Sequence, residues 1–190
     1  MFSKTDVVNL GLIRIGVEEI ANIDGTDFKS VTCKRIYNHG LEAVLRGHKW
    51  NCAMRQLELT QSAETPSAYY DYQYQLPTTC LAVCGLQIRD AKWVRQGSLV
   101  LCSYTNPVME YIKRIDNPAE LDAGCRDVLV SRLALDLSYK FANKPSLRKD
   151  IREDLVRIIQ PLAMHADALE SGVVTQDEAR GESSWMAARD

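Results

Sequence analysis

The chain has 190 residues, enough for one domain or for one domain with a small insertion. It is 46% hydrophobic and 25% charged with a formal net charge of −2, so it lacks the basic excess typical of a duplex-binding domain. No apolar run approaches the roughly 18 residues of a membrane span, and the first residues enter an amphipathic pattern instead of a signal-peptide layout; the reading is a soluble protein, folded in a cytoplasm, with no membrane partner.

Ser3 with Asp6 three residues on makes a capping box. Val8, Leu12 and Ile15 then follow one helical stripe, and Gly16 ends the helix. Asp24-Gly25-Thr26-Asp27 lacks the alternating acidic ligands and closing Glu of a calcium loop, so it reads as a turn and an N-cap. The second helix spans residues 27–46, with Cys33, Tyr37, Leu41, Val44 and Leu45 on one side. Gly40 in its interior marks a place where another helix comes close.

Residues 45–53, Leu-Arg-Gly-His-Lys-Trp-Asn-Cys-Ala, separate the helical pattern upstream from alternation downstream. Trp50 is the natural anchor of this hinge, because an indole buries much apolar area while its N–H still finds a partner. His48 and Asn51 are its polar neighbours, and His48 reads as a hinge hydrogen-bonder, not a catalyst.

Strand-like alternation covers residues 55–60 and then Tyr70-Asp71-Tyr72-Gln73-Tyr74-Gln75-Leu76, which Pro77 ends. Residues 81–88 read as a further strand. Trp93-Val94-Arg95 and 98–101 form a hairpin turning at Gln96-Gly97, and residues 108–115 supply the last strand. Such a run predicts one antiparallel sheet or a small barrel.

Helix signals return with Asn117-Pro118. Residues 128–141 are apolar almost all round, with a thin seam of Arg132, Asp136 and Lys140, which marks a central helix. Ser146 reads as the cap of a final helix with Leu147, Ile151, Leu155, Ile158, Leu162, Ala166 and Leu169 in one stripe, kinked or split at Pro161. Residues 173–190 have no core-forming period and carry Trp185 in a polar setting. The fold class is therefore α+β: an antiparallel helix bundle from residues 1–54 and 117–171, an inserted β lobe at 55–116, and a tail at 172–190.

The six cysteines form no C-x-x-C pair, and no His stands at finger spacing. Cys80 and Cys84 are spaced to share one face of a strand, but two thiols do not close a zinc shell, so reduced, buried thiols are expected. His39, His48 and His165 suggest no nucleophile–base pair, and there is no P-loop, G-x-S-x-G, H-E-x-x-H or dinucleotide fingerprint. No catalytic residue, metal or cofactor is assigned. Tyr69, Tyr70, Tyr72 and Tyr74 have the aromatic half of a single-stranded nucleic-acid site without its basic groove, so packing is the better reading. Lys144, Arg148, Lys149, Arg152 and Arg157 interleave with Asp150, Glu153 and Asp154, the pattern of a solvated face.

Three segments together resemble the head-to-tail adaptor of short-tailed bacteriophages, the tail tubular protein A family. They are the helix ending Asn9-Leu10-Gly11-Leu12-Ile13-Arg14-Ile15-Gly16, the segment from Val44 to Ala53, similar to Leu-Arg-x-His-Pro-Trp-Asn-Phe-Ala, and Tyr72-Gln73-Tyr74-Gln75-Leu76-Pro77, similar to Tyr-x-Tyr-x-Leu-Pro. Tyr111-Ile112 is similar to a later strand of that family. The likeness covers residues 3–142, with Lys49 and Cys52 standing where the family tends to have proline and phenylalanine.

The resemblance implies a structural virion protein without an active site, made in the host cytoplasm and built into the virion. Its partners would be its own copies in a dodecameric ring, the portal protein, the tail nozzle protein and DNA passing through the lumen without sequence-specific binding. The tail, through Trp185, Met186 and Arg189, would dock on the portal, burying the indole as it orders. A ring needs two different patches per subunit, expected on the lobe (Tyr70, Tyr72, Tyr74, Trp93) and on the charged face of the last helix (Arg152). The competing readings are a single-stranded nucleic-acid module using the Tyr70-Tyr72-Tyr74 strand, and a small enzyme assembled from distant residues.

Overall fold

A computed structural model describes residues 2–62, 64, 66 and 69–171. The expected tail, with Trp185, Met186 and Arg189, lies outside the described residues. The fold is α+β, helices and two small antiparallel sheets.

Helix α1 (Lys4–Arg14) starts at the capping box read in the sequence: Ser3 Oγ accepts the Asp6 N–H while the Asp6 carboxylate accepts the Ser3 N–H. It stops at Gly16, whose φ of +69° a side chain would strain. Helix α2 (Phe28–Gly47) is capped by Asp27, which accepts the Ser30 N–H. Its stripe of Cys33, Tyr37, Leu41, Val44 and Leu45 is buried. Gly40 does meet a second helix, for a Cβ there would lie 3.0 Å from Leu133.

The strands are β1 (Met54–Glu58), β2 (Tyr72–Gln75), β3 (Cys80–Leu86), β4 (Trp93–Gln96), β5 (Leu99–Cys102) and β6 (Val108–Lys113). They form two three-stranded sheets, β1-β6-β3 and β2-β5-β4, instead of the single sheet or barrel expected. Every pairing is antiparallel. Pro77 sits where the chain crosses between them, its carbonyl accepting the Cys80 N–H in a tight turn. The β4–β5 hairpin turns at Gly97-Ser98, one residue later than read, because Gly97 takes the positive φ of +58° at the first loop position.

The β1-β6-β3 sheet is the middle of three layers, and the two-residue period of β6 divides its side chains. Met109 and Tyr111 enter a core shared with Tyr74, Val100 and Cys102 of the outer sheet, while Ile112 joins the helical core. Strand β3 is bulged, shifting register between Cys80 and Ala82 and between Val83 and Gly85. The bulges put Cys80 in the lobe core and Cys84 against the helices, so the two thiols do not share a face.

Asn117 caps a separate 3-10 turn, Pro118–Glu120, and the central helix α3 (Ala123–Phe141) begins from its own cap, Asp122. Helices α1, α2, α4 (Pro145–Asp154) and α5 (Gln160–Glu170) all pack on α3, as its all-round apolar surface requires. Gly11 of α1 lies against Val130, Leu133 and Ala134, whereas Gly124 lies against Ala163 of α5. At 100° per residue these contacts fall on different sides of α3.

The start of α4 differs from the expectation. Pro145 takes the first helical position and Lys144 precedes it without a side-chain cap bond, so Ser146 lies inside the first turn. Between α4 and α5 the helix does not break at Pro161. It widens into a π segment, Leu155–Ile159, with the Gln160 N–H donating to Leu155 O. One extra residue in that turn moves the buried face by about 100°. The stripe therefore continues from Leu147, Ile151 and Leu155 to Ile159, Ala163 and Asp167, and Ile158, Leu162, Ala166 and Leu169 point outward.

Candidate functional site

The segment between α2 and β1 is fastened, and α5 does the fastening. Trp50 is buried in the helical core, and its indole N–H donates to Val44 O at 3.0 Å. The His48 ring meets it edge-on, with centroids 4.7 Å apart. His48 Nε2 lies 3.0 Å from Asp167 Oδ2 and, in the tautomer with its hydrogen on Nε2, donates to that carboxylate oxygen. The Asn51 backbone N–H donates to Asp167 Oδ1 at 2.9 Å, and its side-chain amide donates to Asp167 O at 2.6 Å.

Asp167 is 4% exposed. A carboxylate so buried is tolerable because these donors replace its lost water. Three expected hinge residues, Trp50, His48 and Asn51, thus come together, while Pro77 stands apart at the sheet crossover. Sequence reading missed Asp167, since a helix of constant pitch places it off the buried face. Pro161 was the available signal of a register skip.

A second tie joins the last strand to α2. Arg114 pairs with Glu42, donates from Nε to Asp116 at 3.0 Å and from Nη2 to Asn38 at 3.3 Å.

Beside the clamp, Cys52 is half-buried and Cys125 fully buried. The neighbouring Cys125 side chain is the main influence holding the Cys52 pKa down to about 7, against the opposing effect of burial. The same pairing, with burial, pushes Cys125 upward. His48 Nε2 is engaged by Asp167, so the thiol and the imidazole each have a different partner. Among the described residues no group of three or more His, Cys, Asp or Glu is arranged to hold a metal ion. The arrangement fastens two layers and leaves Cys52 as its one acidified thiol.

The lobe residues proposed for contacts are placed unequally. Tyr74 is 0% exposed, with its hydroxyl donating to Tyr104 O at 2.6 Å, so it has no surface to offer a neighbour or a base. Tyr70, Tyr72 and Trp93 are half-buried, and Arg152 is exposed on α4. Among the described residues, two apolar helix faces have no partner. At α1, Leu10 and Ile13 of the helix and Phe2 just before it border a hollow of about 380 Å³ with Asp6, Asn9 and Glu19. On α5 and the π segment, Ile158, Leu162 and Leu169 face outward.

No protein-family model matches the chain, and no curated protein matches it significantly.

Proposed function

We propose that this chain is a structural adaptor that assembles side by side into a ring between the portal of a short-tailed bacteriophage head and the tail nozzle, with DNA passing through the lumen. The observation that carries the ring is the pair of unlike apolar faces. A closed ring requires a heterologous contact, in which one patch of each subunit meets a different patch of the next. The occupant of each face is a second copy of this chain. Its α5 face, flanked by the exposed Arg157, enters the α1 hollow, whose lining carries the carboxylates of Asp6 and Glu19, with the Arg126 guanidinium 4.5 Å from the ring of Phe2. Apolar surface is thereby covered and opposite charges meet at its rim.

The resemblance adds the portal and nozzle as partners. Its segments coincide with parts that set the architecture here: the end of α1 at Gly16, the Trp50 junction, and the end of β2 before Pro77. The interface moves from the lobe tyrosines to the helices, and the reading of the Tyr70-Tyr72-Tyr74 strand as a base-stacking surface loses its support with the burial of Tyr74. Residues 172–190 remain assigned to portal docking, on the resemblance and on Trp185.

Native mass spectrometry of the protein mixed with isolated portal rings of short-tailed phages tests this. Addition in a fixed multiple, twelve per portal, is expected. Ile13→Asp and Leu162→Asp should each abolish ring closure while the monomer melts as wild type, and deletion after Gly172 should abolish portal binding. Addition in no fixed multiple, or normal ring closure by both variants, would refute the reading.

A further inference from the structure

The charges of α4 interleave in the sequence, but the helix sorts them. Arg148, Lys149 and Arg152 line one hollow of about 270 Å³ together with Tyr139 and Pro145. Asp150 and Asp154 line a different hollow with Arg14, Leu147 and Ile151. Among the described residues no carboxylate lines the first.

Tyr139 of α3 organises the basic hollow. The Arg148 guanidinium carbon lies 4.8 Å from its ring centroid, and Arg152 Nη2 donates to its hydroxyl at 2.9 Å. Arg148 Nε is shielded from solvent and lacks a hydrogen-bond partner among the described residues, which a buried donor ordinarily has. The ring itself is 57% exposed. It also borders a second hollow with Arg35, His39, Arg132 and Asp136, where the one carboxylate is engaged by Arg132 at 2.9 Å.

We propose that the hollow beside Tyr139 is a phosphate-binding site that takes the backbone of a nucleic acid. Three cations without a competing acid hold successive phosphates, and an exposed aromatic beside them gives a base a face to stack on. That pairing of aromatic and basic groove is what the Tyr70-Tyr72-Tyr74 strand lacks. Contacts of this number are salt-labile and do not read sequence. The site goes beyond ring assembly, and neither requires the other.

Fluorescence anisotropy with labelled 20-mer DNA, single-stranded and duplex, titrated at several salt concentrations, tests the proposal. Arg148→Gln with Lys149→Gln and Arg152→Gln should weaken binding at least ten-fold at 50 mM salt. It should also flatten the log–log salt slope by about 2 for the single strand and nearly 3 for the duplex, given three contacts at about 0.7 and about 0.9 each. A control removing three exposed cations elsewhere (Arg46→Gln, Arg89→Gln, Lys92→Gln) should weaken binding less than three-fold. The single exposed variant Lys149→Glu, checked by circular dichroism, serves if the triple variant does not fold, and should still weaken binding at least three-fold. Inorganic phosphate added at constant ionic strength should displace the oligonucleotide.

Equal loss in both triple variants, full binding by Lys149→Glu, or absence of oligonucleotide binding at 50 mM salt would overturn the site. So would displacement by polyglutamate as effective as by polyphosphate of equal charge. Inorganic phosphate binding without any oligonucleotide binding would overturn the backbone as its ligand. None of these results bears on addition to portal rings.

Discussion

Asp167 of α5 sits 3.0 Å from the His48 imidazole and accepts the Asn51 backbone N–H, so the last helix clasps the segment leading into the β lobe. Asp167→Ala leaves the Asn51 N–H and the His48 ring nitrogen without their acceptor in a buried setting. Loss of a buried charged acceptor should cost about 2–4 kcal/mol, read as a lower urea midpoint. Asp167→Asn keeps a carbonyl acceptor and should cost less. Equal stability of Asp167→Ala and wild type would show that the clasp contributes nothing.

The π segment makes a prediction that a helix of constant pitch reverses. Ala163 is buried against Gly124, whereas Leu162 is 64% exposed. Ala163→Asp should cost about 3 kcal/mol or more, because it buries an unpaired charge. Leu162→Asp should change monomer stability by no more than about 0.5 kcal/mol. Thermal melts of the two variants decide between the registers.

Cys52 supplies a pH-dependent readout. With its pKa lowered from 9.0 to about 7 by the Cys125 thiol, its alkylation rate by iodoacetamide should rise through pH 7 and level off above it. Cys125→Ala should move that inflection upward, and Cys125→Ser, which keeps a donor, should largely preserve it. A pKa depressed in the folded state stabilises the protein once the pH exceeds the unfolded value near 9.0. That contribution is lost as pH falls through about 7. Alkylation of Cys52 with an inflection unchanged in Cys125→Ala would show that Cys125 does not set the Cys52 pKa.

Much of this was readable along the chain because it is local. The Ser3–Asp6 box, the Asp27 cap, the Gly16 stop and the buried stripe of α2 all follow from spacing within a few residues. The central role of α3 followed from its composition. What was not readable depends on counts that local pattern does not fix. A single inserted residue in the π turn redirected everything after Leu155 and hid Asp167. The β3 bulges separated Cys80 from Cys84, and the division of six strands into two sheets depends on pairings between segments far apart in sequence. The basic hollow was hidden for the opposite reason: mixed charges in sequence are sorted only when the helix winds them onto separate sides.

Tyr111 and Ile112 are consecutive on β6, yet one belongs to the outer core and the other to the helical core. A strand cannot slide toward one core without dragging its next residue out of the other. The two halves should therefore melt together in one calorimetric transition. A force applied to the tip of the lobe is passed along β6 into the helices, as through a spoke to its rim, so such a subunit is expected to tilt as one lever.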